Sequence, residues 1–307
     1  MKSFAIWVMK GRMQAVIAAT VLAVLALIVT PLALLSSAVV MLAVLRQGWR
    51  EGMLVVGSSL LAIAGLGGLV LQMPVAALLV GLMLWLPAAA LGGVLGRTGS
   101  LRLAIEAATV GAALIVFAQH LLMADPAGFW RDALNQFLLQ QVDSETLAQA
   151  NAGPMIDAIA GWMPGGIAAT WLIGSVLSLL LARWWSSLID RPGGFGEEFR
   201  ALRFGRWLLL LVPVLLAGGV LLSGGKPNIV AHLYLLGMVV FLIQGISVVH
   251  ALVNMFGASP GWLVGLYLLL VFIAPQGATV VSVAGYADGW LDFRARARAR
   301  RGGSGDA

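Results

Sequence analysis

Residues 15–45 read AVIAATVLAVLALIVTPLALLSSAVVMLAVL, thirty-one positions without a charged side chain. Wound as one α-helix this stretch would be about 46 Å long, against a bilayer hydrocarbon core of roughly 30 Å. Pro31 stands in its middle, where proline removes a backbone donor and breaks or kinks a helix. The stretch therefore reads as two short helices, 14–30 and 32–46.

Working outward, further apolar runs occupy 52–73 and 75–95, joined by a tight turn at Gln72-Met73-Pro74, and then 103–123, 166–188, 207–223, 229–256 and 261–287. The last run carries Pro275-Gln276-Gly277 and reads as a second broken pair, as the first does at Pro31. The fold class is all-α: a polytopic transmembrane helical bundle of eight to ten membrane segments. Ten segments put both termini on the cytoplasmic side, and eight or nine crossings stay open.

Composition agrees. Hydrophobic residues make up 61% of the 307 and charged residues 10%, where a soluble domain carries about 25% charged. That excludes a soluble enzyme, a disordered chain and a secreted disulfide scaffold. No cysteine is present, which excludes disulfides, thiolate catalysis, zinc thiolate sites and iron–sulfur clusters. The net charge of +6 does not point to nucleic acid, because the basic residues form short clusters between apolar runs with no domain to carry them. The partner they imply is the lipid bilayer.

Orientation follows from those clusters. With a cytoplasmic N-terminus, all but Arg131 and Lys226 of the 19 Lys and Arg fall in alternate loops or the two ends, as the positive-inside rule requires. The opening MKSFAIWVMKGRMQ precedes a long apolar run with no small-residue cleavage site before the next charge, and does not read as a good secretory signal. It reads as an amphipathic lead-in with Phe4, Trp7 and Val8 in the interface. Segment 125–165 is the one long polar stretch, rich in Asp and Glu (Asp125, Asp132, Asp143, Glu145, Asp157). Phe129, Trp130, Ala133, Leu134, Phe137 and Leu138 recur on one helical face, and Ile156, Ile159, Trp162 and Met163 make a second stripe. Two amphipathic helices on the outer surface are expected, either plugging the bundle or resting on lipid, or serving as a gate or lid.

Polar side chains inside a bilayer are costly and mark candidate sites. Glu106 lies one turn into its helix, with Arg102 or Arg97 in reach; it is either a structural ion pair or a coupling carboxylate. His120 and His232 fall near the outer face on different helices. Gln244 and His250 share a helix with Asn254, Gln244 near mid-membrane. Each could contact a ligand or be satisfied by a neighbouring helix, and convergence of His120, His232 and Gln244 on one cavity would favour a ligand. Asp288 and Asp292 share a helix face, which could hold magnesium and a diphosphate as in membrane prenyltransferases. The second acidic motif those enzymes need is missing, and pairing with the Arg-rich tail is the simpler reading.

Soluble-enzyme motifs fail. Gly96-Arg97-Thr98-Gly99-Ser100 lacks the lysine of a P-loop, glycines 65, 67 and 68 lie in a membrane helix, and there is no His-Glu-x-x-His. No catalytic residue, metal site or cofactor is expected. Small residues at four-residue spacing, Gly257/Gly261/Gly265, Gly92/Gly96 and Ala15/Ala19/Ala23, would let helices approach closely. In loop 190–206, Phe195, Phe199 and Leu202 make an apolar edge among charges. It either lies on anionic lipid or docks a soluble partner.

Four stretches taken together carry a family likeness: Gly11-Arg12-Met13-Gln14-Ala15, Leu45-Arg46-Gln47-Gly48-Trp49-Arg50-Glu51-Gly52, Gly193-Gly194-Phe195-Gly196-Glu197-Glu198-Phe199-Arg200-Ala201-Leu202-Arg203, and Asp288-Gly289-Trp290-Leu291-Asp292-Phe293-Arg294. The set resembles the YybS-like family of bacterial inner-membrane proteins, a domain-of-unknown-function family, over nearly the whole chain. That family is distantly similar to the substrate-binding components of energy-coupling-factor vitamin transporters and to the rod-shape protein MreD. The resemblance implies a single membrane domain over 1–306. A six-helix core would cover 1–188, a cytoplasmic amphipathic loop 189–206, added helices 207–290 and a basic disordered tail 291–307. It also implies that Ala15, Ala19 and Ala23 dock a coupling subunit. The expected function is a non-catalytic component that binds an unidentified small molecule and works with membrane or cytoplasmic partners in transport. The alternatives are an envelope scaffold without a substrate, and an enzyme acting on a lipid diphosphate.

Overall fold

The computed structural model describes residues 1–141, 152–222, 224 and 226–302, with side chains through 299. The described residues form fourteen helices and no strand. In chain order they are α1 Lys2–Val8, α2 Arg12–Leu25, α3 Leu32–Gln47, α4 Trp49–Val70, α5 Pro74–Thr98, α6 Leu101–Leu122 and α7 Pro126–Leu139. They continue with α8 Gly153–Asp190, α9 Gly194–Arg200, α10 Arg206–Leu221, α11 Ile229–Phe256, α12 Gly261–Phe272, α13 Ala274–Leu291 and α14 Phe293–Gly302.

Five of these, α4, α5, α6, α8 and α11, are long and apolar enough to cross a bilayer. Helices α3, α10 and α12 are shorter and apolar, and α1 meets α2 at a bend of 117°. The chain is a multi-pass helical membrane protein. Both end runs are broken. The first gives α2 and α3 on either side of residues 26–31, with Pro31 as the N-cap of α3. Their 14 and 16 residues reach only about 21 and 24 Å. The last run breaks at Ile273, two residues before the expected turn, because Pro275 sits in the first turn of α13, where its missing N–H has no partner to lose. The tips of both hairpins are apolar and exposed: Leu27, Ile28 and Val29 in one, and Val271, Phe272 and Ile273 in the other.

By contacts the chain divides into two compact units, Met1–Ala108 with Ile173–Leu202, and Thr109–Leu172 with Arg203–Ala307. Residues 109–172 thus group with the later helices, not with an N-terminal core over 1–188.

In the first unit the small face of α2 is buried. Ala15, Ala19 and Ala23 are all in the core, and α2 packs on α3 and α4. A polar thread joins three helices: Trp85 Nε1 donates to Ser36 Oγ at 2.9 Å, and Ser36 Oγ donates to the Ala19 carbonyl at 2.7 Å. Gly92 lies so close to Met41 of α3 that a Cβ would press on its backbone, the close approach expected of that glycine. The lead-in helix α1 is docked, burying Ala5 and Val8 and setting Phe4 edge-on against Trp185.

In the second unit the tightest pair is α11 and α13. A Cβ on Gly245 would overlap the Val281 carbonyl, and one on Gly285 the Phe241 carbonyl. Neither glycine belongs to the expected Gly257/Gly261/Gly265 set. Gly257 instead ends α11 in the left-handed conformation, and Gly265 faces open space.

Two further expectations are corrected. The second amphipathic stripe is not a separate surface helix. It forms the first turns of α8, a 38-residue helix that runs through Pro164. Proline is tolerated inside such helices where neighbours take up the freed backbone groups. Residues 293–302 of the tail are helical, not disordered. Asp143 and Glu145 lie outside the described residues.

Candidate functional site

The end of the second unit at which α6 finishes gathers several polar and aromatic side chains. Three elements build it. Helix α6 brings Gln119 and His120 in its last turn, the start of α8 brings Gly161, Trp162 and Pro164, and the first turn of α11 brings His232. Asn228 fixes that turn, its side chain accepting from the Ala231 N–H at 2.9 Å.

Pro164 interrupts the backbone bonding of α8 at this level. Without an N–H it leaves the carbonyl one turn back unbonded and crowds that turn. Neighbouring helices bond two other carbonyls around that turn. His232 Nε2 donates to the Gly161 carbonyl at 2.9 Å, and Gln119 Nε2 donates to the Pro164 carbonyl at 3.1 Å. Gln119 Oε1 in turn accepts from Trp130 Nε1 at 3.0 Å, which fastens α7. His232 is 2% exposed, and its ring centre lies 5.2 Å from that of His120 and 6.0 Å from that of Trp162. Gly165 leaves room for it, since a Cβ there would press on the His232 side chain. The exposed pair Arg131 and Asp157 links α7 to α8 on the same side.

Beside this group opens a cleft of about 360 Å³ between α10, the start of α11 and Trp162. Leu215, Leu216, Val220 and Pro227 make its walls apolar, and Lys226 and Tyr234 add an ammonium and a phenol. Its size falls in the usual range for small-ligand sites, and so does its pattern of apolar walls with a few polar groups.

The predicted candidates separate. His120 and His232 come together; Gln244 does not join them. It lies twelve residues along α11 from His232, about 18 Å, and is 1% exposed. There its Oε1 accepts from Phe204 N at 3.0 Å and its Nε2 donates to the Gly285 carbonyl at 2.8 Å. His250 is likewise engaged on both nitrogens: Nδ1 donates to the Ile246 carbonyl at 2.9 Å, and Tyr267 Oη approaches Nε2 at 3.4 Å. Glu106 pairs with Arg102 at 3.2 Å. Asp288 and Asp292 are each engaged by an arginine. Asp288 takes Arg294 at 2.7 Å and Asp292 takes Arg203 at 2.5 Å. Asp292 also accepts from Ala295 N at 3.0 Å and caps α14. That backbone bond, then Arg203, holds the Asp292 carboxyl below the usual carboxylate range.

The docking candidates of the first unit are corrected by burial. Ala15, Ala19 and Ala23 already serve packing within the unit, so no small-residue face of α2 stays open. Leu202 is 4% exposed and cannot form an outer edge with Phe199. Phe195 and Phe199 stack at 6.0 Å on α9 and are half-buried. Around them Arg183–Glu198, Arg191–Glu197 and Arg46–Asp190 form ion pairs that tie α9 and α8 to the end of α3.

Sequence reasoning passes over Gln119 and Tyr234. Gln119 has a signal, an amide next to a histidine within an apolar run. Tyr234 has none, since its role depends on which helices wall the cleft. Among the described residues no group of three or more His, Cys, Asp or Glu side chains lies together. Compared with protein-family models, with curated proteins and with solved structures, the chain matches none.

Proposed function

We propose that this protein is a non-catalytic component of the bacterial cytoplasmic membrane that binds a small molecule and works with partner subunits in transport. Both termini are cytoplasmic in this reading, which rests on the distribution of Lys and Arg. The ligand site is the outer cleft of the second unit. One observation carries the reading: apolar walls of about 360 Å³ meet an ammonium at Lys226, a phenol at Tyr234 and the indole of Trp162. That combination suits an amphipathic molecule with an apolar body and an anionic group.

The test is native mass spectrometry of the chain extracted in mild detergent from native membranes. A bound small molecule is expected on the wild-type chain and absent from Trp162→Ala and Lys226→Glu. Proteins recovered with it in stoichiometric amount should include an ATP-driven coupling subunit. A chain that carries no adduct and recovers only envelope-synthesis proteins would be a scaffold instead.

A further inference from the structure

The two outer histidines have their hydrogens assigned by their neighbours. A carbonyl oxygen only accepts, so the ring nitrogen facing it carries the proton. His120 turns Nδ1 to the Val116 carbonyl at 2.9 Å, and its Nε2 therefore keeps a lone pair. His232 turns Nε2 to the Gly161 carbonyl at 2.9 Å, and its Nδ1 keeps the lone pair. That Nδ1 is buried and has no hydrogen-bond partner among the described residues. A buried polar atom without a partner is rare enough to call for an explanation.

The rings lie 5.2 Å apart, centre to centre, with their planes tilted by 51°. Two imidazoles bound to one tetrahedral ion at about 2.0–2.1 Å per bond bring their centres about 5 Å apart. Histidines that ligate metals also donate their other N–H to a backbone carbonyl or carboxylate, which fixes the tautomer and the ring. Both histidines here make that bond, on helices α6 and α11, with the Pro164 turn of α8 supplying one of the carbonyls.

We infer that His120 and His232 form an exchangeable binding site for a first-row divalent transition-metal ion of the zinc type. Imidazole nitrogen suits such ions and not magnesium or calcium. Two protein ligands without thiolate or carboxylate leave coordination positions to water or to a carried group, so the ion is held reversibly and not as a structural staple. Arg131 and Asp157 on the same side are occupied with each other. The inference does not depend on the neighbouring cleft, whose proposed ligand and decisive residues are different.

The experiment is equilibrium dialysis of the full chain in detergent against zinc chloride, with bound metal measured by mass spectrometry. One zinc per chain is expected. The informative variants are His120→Asn and His232→Gln, whose amide nitrogens stand in for Nδ1 and Nε2. Each keeps the donor to its carbonyl and loses only the lone pair. Each should weaken binding about tenfold or more, and the double variant should abolish it. His250→Gln, which alters a histidine already engaged on both nitrogens, should bind as the wild type does. Absence of zinc on the wild-type chain, or undiminished zinc on the double variant, overturns the site. If His232→Gln fails to fold, His120→Asn decides alone, because His120 is only half-buried.

Discussion

The carboxylate of Asp288 meets the guanidinium of Arg294 at 2.7 Å, and the two side chains are 0% and 7% exposed. Six residues separate them in sequence. Between them Asp292 takes a left-handed conformation, φ 46°, which ends α13 and turns the chain back into α14. Removing Arg294 takes the counter-charge from a buried carboxylate that would keep only the Phe293 N–H at 3.1 Å, a loss of up to about 3–5 kcal/mol. Arg294→Ala should therefore lower the thermal midpoint of the detergent-solubilised protein markedly. Replacing both, as Asp288→Leu with Arg294→Met, should restore most of that loss. Equal damage in the single and double variants would mean that the pair is not what holds this turn.

Asp292 gives the C-terminal helix a pH dependence. Its carboxyl is held low by the Ala295 N–H and then by Arg203. A carboxylate whose folded pKa lies below its unfolded one adds stability above the unfolded value, and that stability disappears as pH falls through the folded value. Docking of α14 should thus be constant at neutral pH and weaken below about pH 4. Hydrogen exchange of residues 293–299 across pH 3 to 7 would show it, and Asp292→Asn should flatten the profile.

The contact of α11 with α13 predicts which glycines tolerate a methyl group. Gly245→Ala and Gly285→Ala place a Cβ on a facing backbone carbonyl, and overpacking of this kind costs about 1–3 kcal/mol or more. Gly265→Ala adds a methyl group into open space and should leave folded yield unchanged. Size-exclusion profiles of the three variants give the comparison directly.

Gln244 is predicted to be a structural bridge. Gln244→Leu would strand the Phe204 N–H, at a cost of about 1–3 kcal/mol for a buried group left unpaired. The loss should appear as reduced thermal stability while the small-molecule adduct is retained. An adduct lost at unchanged stability would return Gln244 to the ligand contacts.

Much of this architecture was legible because lipid imposes few solutions on a chain. The breaks at both ends could be read from Pro31 and Pro275, and the hairpin of α4 and α5 from Gln72-Met73-Pro74, which the structure places between Val70 and Pro74. Close packing was harder to read. Four-residue glycine spacing is common in so glycine-rich a sequence, and it cannot show that Gly245 meets Val281 while Gly265 meets nothing. The fate of polar residues was harder still. His232 and Gln244 look alike in sequence, each a polar residue in one apolar helix. They differ because His232 meets the Gly161 carbonyl with one nitrogen and no described partner with the other, while a loop amide and a glycine carbonyl close around Gln244. Leu202 and the alanines of α2 read as open surfaces because periodicity gives a face and not what covers it.

The short legs α2 and α3 carry a consequence for the surrounding lipid. Their tip, with Leu27, Ile28 and Val29 exposed, has no charged group to rest among headgroups, and legs of about 21 and 24 Å stop short of a hydrocarbon layer of roughly 30 Å. Such hydrophobic mismatch is met by thinning the bilayer, at a fraction of a kcal/mol per Å. The leaflet opposite the Arg12 end is therefore expected to be drawn inward over this hairpin. Shorter-chain and more fluid lipids should gather there, and the protein should settle in thin regions of its membrane.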